Sequence, residues 1–188
     1  MAKCTICKSK KGKRKCKEED DTFICSLCCG QSRNQDKCTG CSFYKDPALH
    51  RNYRKVPFYN ISQMSDSIEL EDISNVIEST LCNIALENRE SFQDNDAIKL
   101  IELFFDKYHF KDDELQFVDT VQKNNFYKII EVCQQDLAST PQEELVKVMA
   151  AVYRSIQRRT DGHREYLQFA QQYVGVRVAS GARVITGQ

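Results

Sequence analysis

Between residues 66 and 173, apolar side chains return every three or four positions, the period of an amphipathic helix. Ile73, Val76, Ile77, Leu81 and Ile84 make one stripe, and Ile98, Ile101, Phe104, Phe105 and Tyr108 a second. They predict helices after Ser65 and over about 96–108. A third pattern starts near Asp112 with Leu115, Val118 and Val121 and is expected to break at Asn124-Asn125, with a fourth following as FYKIIEVCQQDL. Thr140, Pro141 and Glu143 read as N-cap, first helical position and capping-box partner. They open a helix that carries Leu145, Val148, Met149, Val152 and Ile156 and stops at Gly162. A short helix over about 163–173 comes next. The tail VRVASGARVI then alternates apolar and polar residues around Ser180-Gly181, which predicts a small hairpin.

Residues 1–46 show neither period. The expected fold class is therefore mostly α, in three parts: a cysteine-rich module of loops and short strands (1–46), a connector (47–65) and a helical domain (66–188). That domain reads as a small bundle of five or six helices with a C-terminal hairpin. The connector is interrupted by Pro47 and Pro57, and its HRNYRKVPFY stretch could dock as an extended segment between the modules. The 188-residue chain is 41% apolar, enough for a modest core, and its apolar runs are too short to cross a membrane. The basic N-terminus lacks the apolar stretch of a secretory signal, so a cytoplasmic location is expected. A net charge of zero hides a polarised chain. Residues 1–55 hold 14 basic and 6 acidic side chains (net +8), residues 56–120 hold 4 and 15 (net −11), and residues 121–188 hold 9 and 6 (net +3).

Eight of the ten cysteines fall between Cys4 and Cys41, spaced C-x2-C-x8-C-x8-C-x2-C-C-x8-C-x2-C. Two thiolates on one tight turn can reach a single tetrahedral ion, so three C-x2-C pairs in so short a stretch predict zinc. Disulfides and an iron–sulfur cluster are the competing uses of such cysteines. Eight ligands make two Cys4 sites, two Zn2+ per chain. Neighbouring side chains diverge, so Cys28 and Cys29 are expected to serve different ions. This gives Cys4, Cys7, Cys25 and Cys28 on one ion and Cys16, Cys29, Cys38 and Cys41 on the other, an interleaved arrangement. Exchange of the outer pairs between the ions is the alternative. Four thiolates close the coordination shell, which suits a structural rather than a catalytic ion. Metal would then supply much of the module's folding free energy, on the order of 10 kcal/mol per site.

The string RKCKEEDDTFICSLCCGQSRNQDKCTGCSFY resembles the N-terminal segment of small uncharacterised prokaryotic zinc-binding proteins. The shared features are a CxxC, a lone cysteine, an ICxLCCG core, an arginine, and paired cysteines before an aromatic residue. Residues 4–44 carry this resemblance, which implies a common metal module and no particular activity. RING and MYND modules differ, because eight residues separate Cys16 from Cys25.

The run KSKKGKRKCK sits between ligand cysteines. Lys8, Lys10, Lys11, Lys13, Arg14, Lys15, Lys17 and Arg33 are the candidate phosphate contacts of a nucleic-acid-binding surface. The competing use is local. Two Zn2+ with eight thiolates carry −4, lowering the module's net charge to about +4, and basic groups beside such sites donate hydrogen bonds to sulfur. A second basic group, Arg154, Arg158, Arg159 and Arg164, reads as a helix end favoured by the macrodipole. The acidic stretch 66–119 reads as a solvated helix face, Cys82 and Cys133 as buried thiols, and His50, His109 and His163 as isolated histidines. No P-loop, dinucleotide fingerprint, nucleophile elbow, zinc-protease or deaminase motif is present. The expected function is non-enzymatic. A zinc-bearing recognition platform would contact nucleic acid, structured RNA in particular, or a protein of a nucleic-acid machine, with the helices available for self-association. The alternatives are a structural protein–protein adaptor or self-associating scaffold, and an enzyme whose residues the helical bundle assembles.

Overall fold

The computed structural model describes residues 3–38, 41–44, 51–88 and 91–185. Helices dominate, as the apolar periodicity predicts, and the strands form two small hairpins. The chain divides into two compact units, Met1–Asn52 and Tyr53–Gln188.

The first unit is built on an antiparallel pair, β1 (Arg14–Cys16) and β2 (Thr22–Ile24), with Lys15 opposite Phe23 and Cys16 opposite Thr22. Asp20 and Asp21 turn the chain between them in the left-handed region. Gly12 is needed just ahead of β1, because a Cβ there would stand 2.8 Å from both the Cβ and the carbonyl oxygen of Phe23. Short helices α1 (Ser26–Gln31) and α2 (Gln35–Cys38) follow. Ile24 and three cysteines (Cys4, Cys25 and Cys28) are the buried apolar residues described in this unit. Burying Ile24 contributes about 2 kcal/mol, whereas ordering each residue costs about 1.5 kcal/mol. Apolar burial therefore cannot hold this unit.

The second unit comprises α3 (Ile61–Ser65), α4 (Ile68–Glu87), α5 (Asp94–Tyr108), α6 (Thr120–Asp136), α7 (Gln142–Arg159) and α8 (Glu165–Tyr173), then the hairpin β3 (Val176–Ala179) and β4 (Ala182–Val184). Helix α4 is central and packs against α3, α6, α7, α8 and β3, while α5 packs on α6, α7 and α8. Leu81, Ile84, Leu100, Phe104, Phe105, Phe126, Met149, Ile156 and Leu167 fill the core. Asp94 braces the bundle. Its fully buried carboxylate accepts hydrogen bonds from the Tyr166 and Leu167 backbone N–H groups (2.9 and 3.1 Å), so the first residue of α5 caps the first turn of α8. Gly181 turns the predicted hairpin with φ +65°.

Several expectations are corrected in detail. The third helix does not start near Asp112: residues 112–119 are not helical, 120–136 form one helix that Asn124-Asn125 does not break, and Val118 and Val121 are exposed. Thr140 makes no capping bond. Pro141 is the N-cap, and Glu143 pairs with Lys147 at 2.7 Å instead. The stretch read as a connector is divided, its residues 53–65 belonging to the helical unit. There Val56 is buried in the core and the Tyr53 hydroxyl donates to Asp106 at 3.1 Å. Among the described residues, no helix is long and apolar enough to cross a membrane.

Candidate metal centre

Four thiols meet in the first unit. The sulfur atoms of Cys4, Cys7, Cys25 and Cys28 all lie within 4.8 Å of one another, and three of the four residues are buried. Cys7 Sγ is 3.9 Å from Cys25 Sγ, close to the roughly 3.8 Å edge of a tetrahedron with 2.3 Å zinc–sulfur bonds. All ten cysteines are free thiols.

The local backbone explains the gathering. Residues Cys4 to Lys8 close a tight knuckle: the Lys8 N–H donates to the Cys4 carbonyl (2.9 Å), Lys8 adopts φ +54°, and the Cys4 N–H donates to the Lys10 carbonyl (2.7 Å). A bond from the Thr5 N–H to the Phe23 carbonyl (3.2 Å) ties this knuckle to β2, which leads into Cys25. Cys25 is the N-cap of α1, and its sulfur accepts the Cys28 N–H at 3.4 Å. A C-x2-C pair at a helix start thus faces a C-x2-C pair in a knuckle.

Electrostatics favour a cation here. The Ser9 hydroxyl and the Lys10 and Ser9 backbone N–H groups hold the Cys7 thiol down at about 5, so it is a ready thiolate. Cys4 is also lowered: burial opposes this, but backbone donors from Cys7, Cys25 and Ile6 outweigh it. Cys28 is pushed up to about 12 by its hydrogen bond to Cys25, by burial and by the other two thiols. That crowding of like charge is what a divalent cation relieves.

The second predicted set is arranged differently. Cys16, Cys29, Cys38 and Cys41 line one cavity of about 170 Å³ together with Arg14, Arg33 and Phe43. Among the described residues, however, no second group of ligand atoms meets the spacing of the first. Cys28 and Cys29 do diverge, but as successive residues of helix α1 rather than of an extended strand. Arg14 donates to Cys29 Sγ at 3.3 Å and lies over the Phe43 ring, 5.2 Å from its centroid. Cys29 is lowered in spite of its burial by Arg14 and Arg33.

Two of the predicted phosphate contacts, Arg14 and Arg33, thus act on a sulfur, and Lys15 pairs with Asp21 at 3.5 Å. Lys8, Lys10, Lys11, Lys13 and Lys17 are exposed. Cys82 and Cys133 lie in the helical core, both pushed up to about 12 mainly by burial. His109 packs edge-on against Phe110, His163 is exposed, and His50 lies outside the described residues.

Sequence reasoning missed a pair of acids inside the helical unit. Glu78 accepts from the Tyr166 hydroxyl and Glu102 from the Tyr153 hydroxyl, and burial raises both carboxyls. The only signal was the position of Glu78 beside the apolar stripe of α4, between Ile77 and Leu81. No family model, curated protein or solved structure matches this chain.

Proposed function

We propose that the first unit is a two-zinc recognition module that binds single-stranded nucleic acid, RNA in particular, without catalysing a reaction. One ion is held by Cys4, Cys7, Cys25 and Cys28. The second is held by Cys16, Cys29, Cys38 and Cys41, whose thiols already line one cavity beside Arg14. The observation that carries the reading is on the hairpin. Phe23 is 46% exposed and stands opposite Lys15, with Lys13 and Lys17 flanking β1 and Lys8, Lys10 and Lys11 in the preceding turn. An exposed ring stacks an unpaired base, and lysines around it neutralise the adjoining phosphates. The metal fixes the platform and touches no substrate.

The test is binding of a single-stranded RNA oligonucleotide across a salt series. About five phosphate contacts give a log–log slope of about −3.5. Lys10→Gln, Lys11→Gln and Lys13→Gln should each reduce its magnitude by about 0.7, and Phe23→Ala should weaken binding by about 1–3 kcal/mol. Absence of binding at low salt, or binding indifferent to these substitutions, would instead favour an adaptor that meets a protein partner.

A further inference from the structure

The helical unit contains a cavity of about 600 Å³ between α3, α4, α7 and the end of α8, within the size range of small-molecule sites. A second cavity, of about 560 Å³, shares Glu78, Ser155 and Arg158 with it. We propose that the first cavity binds an adenine nucleotide, with the base read by Asn75 and the phosphate held by Arg158.

The arginines differ in their commitments. Arg154 lies over the Phe58 ring (3.7 Å to its centroid) and donates to the Arg54 carbonyl. Arg159 lies over the Phe169 ring at 3.5 Å. Arg158 donates only to the Ser155 hydroxyl (3.2 Å) and has no carboxylate at ion-pair distance among the described residues. It is exposed, it borders both cavities, and its planar fork matches a phosphate.

The opposite wall is polar, with Glu71 and Glu78 beside Ser74 and Asn75. Glu78 takes hydrogen bonds from the Tyr166 hydroxyl and from Ser74 Oγ (3.3 Å), and burial raises its carboxyl against them. Asn75, one helical position from Ser74, is half-buried and has no side-chain hydrogen bond among the described residues. An asparagine amide can pair with both the amino group and N7 of adenine. Tyr59, Met64 and Tyr173 supply apolar surface for a flat ring. Inorganic phosphate alone would leave that surface wet, and an alkyl chain would bury the Asn75 amide unpaired, which costs free energy. A base joined to a phosphate satisfies both ends.

This site stands apart from the zinc-module reading and fails separately from it. The test is calorimetric titration of the zinc-loaded full chain with AMP, adenosine, inorganic phosphate and a 5′-phosphorylated oligoadenylate. AMP should bind saturably, and adenosine and phosphate at least tenfold more weakly. Arg158→Gln and Asn75→Ala should each weaken AMP binding at least tenfold while melting like the native chain. Tighter Arg158-dependent binding of the oligonucleotide than of AMP would identify a strand end as the source of the nucleotide, and the reverse a free nucleotide; either supports the site. No AMP binding at millimolar concentration, AMP binding unchanged in both variants, or its loss on substituting Lys10 and Lys11 would overturn it.

Discussion

In Met1–Asn52 the described buried apolar set is one isoleucine and three cysteines. In Tyr53–Gln188 it is a continuous core drawn from all the helices from α4 to α8. Both units have a short β-hairpin, but the first has helices of six and four residues and the second helices of up to 20. What separates them is the source of free energy. The helical unit removes enough apolar surface from water to offset its lost entropy. The cysteine unit does not, and its four convergent thiols mark where a metal ion could be held and would supply the difference. A sequence can thus be ordered over two adjoining stretches for unrelated physical reasons, and each should respond to its own perturbation.

The comparison is broken most severely at Cys25, which both caps α1 and faces the other three thiols. Cys25→Ser should unfold the first unit, read as proteolysis within residues 1–45, while the helical unit melts unchanged. Concerted loss of both units would refute their independence. Next in size is Phe105→Ala, at the fully buried centre of the helical unit. It should cost about 3–5 kcal/mol in denaturant unfolding of that unit and leave metal content intact.

Asp94→Ala removes the brace between α5 and α8 and strands two buried backbone donors. Its cost should be about 2–3 kcal/mol, with early fraying of α8 in hydrogen exchange. The smallest effect is at Asp136, whose carboxyl is held below its usual range chiefly by Arg177 Nε (2.9 Å), with help from Ser180 and Gly181. A depressed carboxyl stabilises the fold above its unfolded value near 4, and that contribution is lost as pH falls through the folded value. Asp136→Asn should therefore remove about 1 kcal/mol at pH 7 and flatten this part of the stability loss in acid, where the native chain converges on the variant.

The two regions also differed in how far they could be read in advance. Helices over 68–87 and 94–108 follow from apolar residues at spacings of three and four, because burial of one face is what holds them. The grouping of Cys4, Cys7, Cys25 and Cys28 was visible in the C-x2-C spacing and the Cys28-Cys29 pair, whereas Cys16, Cys29, Cys38 and Cys41 do not meet that spacing among the described residues. The break at Asn124-Asn125 was misplaced because asparagine costs a helix only about 0.5 kcal/mol, and Asn125 is buried among packed neighbours. At Thr140 the capping pattern was present, but Pro141 holds the extended N-cap conformation and Glu143 has a better partner in Lys147. Asp94 with Tyr166, and Glu78 with Tyr166, join residues 72 and 88 positions apart. No local pattern encodes such pairs; tertiary packing creates them.

The most direct measurement is zinc content and circular dichroism of the reduced full chain before and after a strong chelator. About two zinc ions per chain, with chelation unfolding residues 1–45 while most helical signal persists, is the predicted result. A chain that carries no metal when purified under reducing conditions, or whose first unit stays folded after chelation, would contradict it.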